Sequence, residues 1–358
     1  MRDILKNLSP YKPGKTIEDI KREYNLDNVI KIASNENPYG FSSKVSEAIK
    51  NIGEIQLYPD NSVLNLREKL KNKLKVNNSN LIFGTGSSEL IGLIARTMLS
   101  PDDETITCSP SFFIYGSETL ISNGKLINVP LKNNAFDLNG ILEKINSRTK
   151  LIYIANPNNP TGTIITEEEQ RNFLNKVPKN ICVVLDEAYY EFAEGKDYPN
   201  SINMLKDFNN IIILRTFSKA YGLAGLRVGY GIASEELISN IERVRPPFNL
   251  STIGEIAAAA ALEDEEFIKQ CVIKNNKVLK YIYEELDKLN ISYIKSYANF
   301  IMIDVKKDGN IAFEELLRKG FIVRPGFPNM STYIRVSIGT MEEMKKFIIA
   351  LKELQGGI

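Results

Sequence analysis

The chain has 358 residues, enough for one large or two ordinary domains, and it contains neither histidine nor tryptophan. The lack of histidine excludes serine–histidine triads and histidine-ligated zinc or haem, so an enzyme of this sequence must move protons with Lys, Asp, Glu, Tyr, Cys or a cofactor. The net charge of +1 gives no reason to expect a nucleic acid or a membrane as partner.

The cysteines and the N-terminal segment indicate a cytoplasmic setting. Cys108, Cys182 and Cys271 are far apart and form no CxxC pair, which disfavours a disulfide framework or a metal cluster. The first residues lack the apolar core of a secretion signal, and no apolar run is long enough to span a bilayer. We therefore expect a reduced, cytoplasmic protein without a structural metal.

The order of predicted elements indicates three parts. Residues 1–29 are rich in Pro and Lys and predict an N-terminal arm that packs with a small domain, whereas residues 30–262 alternate apolar runs with helical patterns and predict a large α/β domain. Residues 263–358 predict a smaller α+β domain that begins with a long amphipathic helix at about 265–289.

Several runs in the large domain are apolar throughout, as expected for a mostly parallel sheet covered by helices on both faces. The predicted strands are 81–83, 105–108, 126–129, 151–155, 182–185, 211–214 and 228–232. The predicted helices between them are 64–75, 88–98, 138–145 and 167–177. Thr166 and Glu169 form a plausible capping box for the last of these helices.

Two motifs follow predicted strands in the first half of this domain. FGTGSSEL, residues 83–90, places Gly84, Gly86 and the amides of Ser87 and Ser88 at a helix N-terminus, which suits an anion. Glu89 stands where a dinucleotide fingerprint has its third glycine, and the P-loop lysine is missing. ANPNNPTG, residues 155–162, predicts either a plain turn or a rigid turn that fixes an asparagine donor.

Two further motifs follow later strands. VVLDEAYYEF places Asp186 at the carboxyl end of a strand, where it is either a turn residue or a buried carboxylate opposite a heteroaromatic nitrogen, and Tyr189 can reach the same ligand. TFSKAYGLAGLRVGYG, residues 216–231, places Lys219 after a buried strand, either as a surface lysine or as an amine that forms a Schiff base with an aldehyde. Arg227 follows in a glycine-rich segment that suits a phosphate.

In this order, these four motifs resemble the fold-type I pyridoxal-phosphate-dependent aminotransferases of class I/II, and the resemblance covers nearly the whole chain. Further matches are LSPYKPGK at 8–15, SNENPYG at 34–40, LYPD at 57–60, IVRPG at 322–326 and YIRVSIGT at 333–340. The resemblance implies the α/β fold of that family, with a large domain that binds pyridoxal 5'-phosphate, a smaller α+β domain and an N-terminal arm.

The resemblance also implies roles for individual residues. Lys219 matches the lysine that bonds covalently to the cofactor and catalyses proton transfer, and Asp186 matches the aspartate that pairs with the pyridine nitrogen. Tyr189 and Asn159 match residues that hydrogen-bond the phenolic oxygen. In that family, residues of two motifs hold the cofactor phosphate together with a tyrosine from the neighbouring subunit of a homodimer. The matching residues here are Gly86, Ser87, Ser88, Thr216, Ser218, Arg227 and Tyr58.

Two positions depart from the usual family pattern. Phe112 stands where a tyrosine more often stacks on the pyridine ring, so stacking is kept and any role of the hydroxyl is lost. Ser88 stands where the family often has aspartate, which matters little if only the backbone amide is used.

For the substrate, Arg335 matches the arginine that binds the α-carboxylate, with Asn35 and Asn159 assisting. Tyr11 and Arg324 match residues at the far end of the substrate pocket; for Arg324 a solvated strand-end charge is the alternative. The implied reaction is a reversible ping-pong amino transfer between L-glutamate/2-oxoglutarate and imidazole-acetol phosphate/L-histidinol phosphate.

Three alternatives share much of this pattern. An aromatic amino-acid aminotransferase or a threonine-phosphate decarboxylase would use the same cofactor residues. An aminotransferase-like regulator would need a DNA-binding domain, for which the segment before SNENPYG is too short.

Overall fold

A seven-stranded, mostly parallel sheet forms the centre of the larger part of the molecule in a computed structural model, which describes residues 6, 8, 10, 16–53, 55–195, 197–354 and 356. The strands are β1 (Ile30–Lys31), β2 (Leu81–Thr85), β3 (Glu104–Ser109), β4 (Lys125–Pro130), β5 (Thr149–Ala155), β6 (Cys182–Asp186), β7 (Ile211–Thr216), β8 (Val228–Ala233), β9 (Tyr293–Ile294), β10 (Phe300–Asp304), β11 (Phe321–Ile322) and β12 (Tyr333–Ser337).

Helices connect most of these strands. They are α1 (Ile17–Tyr24), α2 (Ser43–Lys50), α3 (Leu64–Leu74), α4 (Ser87–Met98), α5 (Ile114–Ile121), α6 (Leu138–Lys144), α7 (Glu167–Lys176), α8 (Tyr190–Ala193), α9 (Ser201–Met204), α10 (Glu235–Glu242), α11 (Thr252–Ala261), α12 (Glu265–Lys288), α13 (Gly309–Arg318) and α14 (Met341–Leu354). Short 3-10 helices lie at Asn78–Asn80 and Ala224–Leu226. In the described residues, none of these helices is both long and apolar enough to cross a membrane.

The order of strands in the large sheet is β2-β8-β7-β6-β5-β3-β4. Neighbours are parallel except that β8 runs antiparallel to both β2 and β7. Strands β6, β7 and β8 are buried at every position, which explains why their sequences are apolar throughout rather than alternating. The predicted mostly parallel α/β sheet is confirmed.

The predicted helices and strands of this part agree with the structure to within about two residues at each end, as assignment methods allow. The capping box of α7 is present, because Thr166 and Glu169 bond each other's backbone amides. The helices α2, α5, α8, α9, α10 and α11 are absent from the prediction. In α11 a run of five alanines is buried, so the helix has no polar face that would give a helical period.

A second, smaller core lies around an antiparallel sheet of order β12-β10-β9 and the helices α12, α13 and α14. The start of the chain joins this core, since β1 pairs in parallel with β11 and Ile20 of α1 packs against Leu317 and Ile322. The domain boundaries stay a prediction, although this pairing places residues 30–32 with the C-terminal core rather than with the large sheet.

Candidate active site

All four chemical motifs meet at one edge of the large sheet. Strands β2, β3, β5, β6 and β7 point the same way, so the segments after them lie at their shared carboxyl edge. The chain order reverses between β3 and β5, because β3 continues outward to β4 while β5 continues to β6 and β7 on the other side. Open α/β sheets bind ligands at such a reversal.

Lys219 follows β7 and is half-buried at this edge. Its Nζ donates to the carbonyl oxygen of Ser34 at 3.2 Å and lies 5.5 Å from the centre of the Tyr189 ring. Burial, helped by the positive charge of Arg335, lowers the pKa of Lys219 to about 8. About a tenth of this amine is therefore uncharged at pH 7, far more than for an ordinary lysine, and can act as a nucleophile or a base.

Asp186 is the last residue of β6 and is buried. Its carboxylate accepts hydrogen bonds from the hydroxyl of Tyr115 at 2.7 Å and from the backbone N–H of Ala188 at 3.2 Å. Burial raises the pKa of Asp186 to about 6, against the opposing effect of the Tyr115 hydrogen bond. The carboxylate is consequently mostly ionised at pH 7 and suits a cationic ring nitrogen.

The start of α4 forms an anion cradle with the segment after β7. Gly86 is the N-cap of α4 with a φ of 77°, and a Cβ there would lie 2.5 Å from a guanidinium nitrogen of Arg227. Arg227 donates to Ser218 Oγ at 3.3 Å, and Ser218 N–H donates to Thr216 Oγ1 at 3.1 Å. The amides of Ser87 and Ser88 open the helix, where backbone donors have no intrahelical acceptor.

Glu89, which breaks the dinucleotide fingerprint, has a structural role in this cradle. Its carboxylate accepts from the backbone N–H of Thr85 at 2.6 Å and from the side-chain amide of Asn249 at 2.7 Å. Glu89 thus fixes the turn between β2 and α4.

Arg335 on β12 brings the smaller core to the same site. Its guanidinium donates to Asn159 Oδ1 at 2.5 Å and to the carbonyl oxygen of Ala33 at 2.6 Å, and it lies 5.5 Å from the ring centre of Phe300. The side chain is mostly buried, so the planar cation is held in one orientation. Such a fork suits a carboxylate.

Asn35 joins Tyr189 to Ser337, which lies two residues after Arg335 on β12. Its side-chain amide donates to the Tyr189 hydroxyl at 2.9 Å, and its Oδ1 accepts from Ser337 Oγ at 2.9 Å. The backbone N–H of Asn35 donates to the same serine oxygen at 2.8 Å. Asn35 adopts a φ of 55°, which asparagine tolerates better than most residues.

The remaining predicted site residues lie in varied surroundings. Phe112 is half-buried after β3, with its ring edge-on to Tyr115 at 5.7 Å between centres. Arg324 pairs with Arg335 through both backbone groups, at 3.0 and 2.7 Å. Tyr58 is 82% exposed and stacks on Phe248 at 4.8 Å. Tyr11 lies outside the described residues.

Three residues at the site are absent from the sequence prediction. Tyr115 contacts Asp186, Ser337 contacts Asn35, and Asn37 donates to the carbonyl oxygen of Ala220 at 2.8 Å, beside Lys219. Ser337 could have been found from the sequence, because residues two apart on a strand lie on the same face and Ser337 comes two residues after the predicted Arg335.

The side chains present fit the chemical groups of pyridoxal phosphate. The cradle offers amides, hydroxyls and a guanidinium for a phosphate, the Lys219 amine suits an aldehyde, and buried Asp186 suits the ring nitrogen. The close approach at Gly86 fits this reading, since a larger residue there would fill the cradle.

Comparisons with known proteins give the family of the chain. The family model described as aminotransferase class I and II matches residues 27–351. The chain is 48% identical over 355 residues to the histidinol-phosphate aminotransferase of Caldicellulosiruptor saccharolyticus, covering 99% of each chain. It is 46% identical over 355 residues to that of a Geobacillus species, covering 98% of this chain and 96% of the relative.

Solved structures show the same fold. The histidinol-phosphate aminotransferase of Sinorhizobium meliloti in complex with pyridoxal-5'-phosphate superposes with a TM-score of 0.91 at 28% identity, covering 99% of this chain and 97% of the other. That of Clostridium acetobutylicum gives a TM-score of 0.84 at 26% identity, covering 92% and 99%. The expected family and fold are confirmed, and the chain belongs to the aminotransferase class I and II family.

Proposed function

We propose that the chain uses pyridoxal 5'-phosphate to transfer an amino group reversibly between L-glutamate/2-oxoglutarate and imidazole-acetol phosphate/L-histidinol phosphate, in histidine biosynthesis. The reaction class rests on one observation: the Lys219 amine, with a pKa lowered to about 8, lies among Asp186, Tyr189 and Arg335. The substrate rests on the full-length likeness to histidinol-phosphate aminotransferases.

The cofactor residues would be those of the cradle together with Lys219, Asp186, Tyr189 and Phe112. Pyridoxal phosphate, when bound, supplies an electron sink for the electrons of the Cα–H bond of the amino acid. Lys219 would take the proton from Cα and hold it at Nζ, so it would perform the acid–base work in a chain without histidine.

The residues proposed for the substrate bind it and set its orientation. Arg335 binds the α-carboxylate through its planar fork, and Asn159 and the Ala33 carbonyl hold that fork in place. Asn35 holds the Tyr189 hydroxyl, which keeps its proton because burial raises the pKa of Tyr189. Arg324 and Tyr11 are proposed for the far end of the substrate, where they would meet a substrate phosphate or the second carboxylate of glutamate.

We also propose a homodimer with shared sites and a cytoplasmic location. Several apolar side chains close to Tyr58 in sequence or in space are exposed, which a partner surface would cover. They are Ile55, Leu57, Leu64 and Phe248. The division into an arm at 1–29, a large domain at 30–262 and a small domain at 263–358 is proposed as well, with residues 30–32 moved to the small core.

The test of the reaction is an absorbance scan of the protein loaded with pyridoxal phosphate. L-Glutamate should bleach the visible band of the bound cofactor, and 2-oxoglutarate should restore it. Histidinol phosphate should bleach it as well, more efficiently than phenylalanine. Carbon dioxide release from threonine phosphate without bleaching would point to the decarboxylase, and a preference for phenylalanine to the aromatic aminotransferase.

Lys219→Ala should retain cofactor binding through the phosphate cradle but lose turnover by about three orders of magnitude or more, because the amine placed for proton transfer is gone. Lys274→Ala is the matched control, since Lys274 also lies over a tyrosine ring, that of Tyr39, at 4.9 Å. Activity of Lys219→Ala close to that of the control would refute the assignment.

A further inference from the structure

The Asp186 carboxylate accepts a hydrogen bond from a tyrosine that none of the four motifs contains. Tyr115 on α5 is 0% exposed, and its hydroxyl lies 2.7 Å from Asp186 Oδ2, although the two residues are 71 positions apart. Asp186 Oδ1 accepts from the Ala188 backbone instead, so each carboxylate oxygen has its own donor.

The Tyr115 ring is fixed on several sides. It stacks on the Tyr153 ring at 4.6 Å and 6° between planes, and it is nearly perpendicular to the Phe112 ring at 5.7 Å between centres. The backbone carbonyl of Tyr115 accepts from the Thr119 hydroxyl at 2.7 Å. A phenol held in this way offers its hydroxyl in a single direction.

The direction of the Tyr115–Asp186 bond follows from the two acidities. Burial and the neighbouring carboxylate raise the pKa of Tyr115 well above its ordinary value, so the phenol keeps its proton. The carboxylate is the more acidic partner and accepts. The hydrogen bond therefore favours the ionised form of Asp186, whereas burial disfavours it.

We propose that Tyr115 is a positioning residue that keeps the buried Asp186 carboxylate ionised and in a fixed orientation for a ring nitrogen. This inference rests on the proposed function, because it concerns the carboxylate assigned to the cofactor. In a chain without histidine, a tyrosine provides the neutral donor that a buried carboxylate needs.

Other charged and titratable groups also act on Asp186, from each element packed against it. The carboxylate of Glu187 opposes its ionisation, and the amine of Lys219 favours it. Glu187 is itself held by Arg215 of β7 at 2.9 Å. The tyrosines whose acidity responds to Asp186 are Tyr115, Tyr153, Tyr189 and Tyr198.

The test is an infrared titration of cofactor-free protein, in which protonated carboxyl groups are followed against pH. The contribution of Asp186 is the difference between wild type and Asp186→Asn. Tyr115→Phe removes only the hydroxyl, and the midpoint of Asp186 should rise by about one to two pH units, as expected for loss of a hydrogen bond to a charged group.

Tyr153→Phe is the matched control. The Tyr153 hydroxyl is equally buried but donates to the carbonyl oxygen of Ile91 at 3.1 Å rather than to Asp186. Its removal should leave the midpoint of Asp186 within about a quarter of a pH unit of wild type, because it keeps the Tyr115 donor. An unchanged midpoint in Tyr115→Phe, or equal shifts in both variants, would overturn the inference.

A second measurement covers the case in which Tyr115→Phe does not fold. In Asp186→Asn, which retains Tyr115, the phenol C–O stretching band of one tyrosine should shift, because its strong acceptor has become a neutral amide. A tyrosine spectrum identical to wild type would contradict the hydrogen bond. Wild-type protein that neither binds pyridoxal phosphate nor transfers amino groups would refute the proposed function instead, whatever the titration gives.

Discussion

The acidity of Lys219 depends on a side chain from the other core. Arg335 lies on β12, more than a hundred residues after Lys219, yet its positive charge is the second cause, after burial, of the lowered pKa of the amine. The residue proposed to bind the substrate carboxylate thus also increases the uncharged fraction of the Lys219 amine.

This coupling predicts a pH effect. In cofactor-free protein, the rate at which Lys219 captures pyridoxal, which lacks the phosphate, should rise with pH around a midpoint of about 8. Arg335→Gln removes a nearby positive charge and should raise this midpoint by about half a pH unit or more, so capture at pH 8 should slow.

Arg22→Gln on the exposed face of α1 is the control and should behave like wild type, because this charge is far from the site and screened by solvent. A midpoint in Arg335→Gln that stays at the wild-type value or falls would show that Arg335 does not act on the amine.

At the scale of elements, the loop after Lys219 and the loop of the SNENPYG motif touch through glycine. Gly222 has a φ of 72°, and a Cβ on it would lie 1.9 Å from the backbone oxygen of Gly40. The backbone of Gly40 cannot move aside as the end of a flexible side chain could. The segment that carries Lys219 and the segment that carries Asn35 therefore fit together only without a side chain at this point.

Gly222→Ala should lower the free energy of unfolding by about 2–4 kcal/mol, from backbone strain plus overpacking. Gly40→Ala tests strain alone, because Gly40 has a φ of 77° but nothing within 4 Å of a Cβ, and should cost about 1 kcal/mol. Gly225→Ala has neither feature and should be close to neutral. Urea unfolding of the three variants measures the differences, and equal values for Gly222→Ala and Gly225→Ala would disprove the close contact.

The strand ends could be read from the sequence, whereas contacts between distant elements could not. Asp186 ends one apolar strand and Lys219 lies three residues after the next, so their shared edge is a consequence of parallel pairing. Tyr115 lies inside a helix without a polar period, and its partner is 71 residues away. Strand β1 has two residues, too few for an alternating pattern, and its pairing with β11 is a tertiary contact.

At the scale of the whole molecule, the proposed homodimer makes each site depend on two chains. Lys219 would come from one subunit and Tyr58 from the other. A mixture of Lys219→Ala and Tyr58→Ala should then recover activity, because each heterodimer contains one site with both native residues.

With free exchange of subunits, recovery should approach roughly a quarter of wild-type activity, since about half of the dimers are mixed and each has one intact site of two. Each variant alone, treated in the same way, should stay at its own low level. If mixed dimers form, as ion-mobility or tagged co-purification would show, and activity does not rise, the sites are not shared.

The pairing of Asn35 with Ser337 joins residues 302 positions apart and has a consequence for synthesis on the ribosome. The strands β2 to β8 can assemble while the chain is still growing, because all their partners lie between residues 81 and 233. The hydrogen bond from Arg335 to the carbonyl oxygen of Ala33 can form only when almost the entire chain has emerged from the ribosome. A nascent or prematurely terminated chain would therefore carry Lys219 and Asp186 on a folded sheet but lack the half of the site that is proposed to bind the carboxylate.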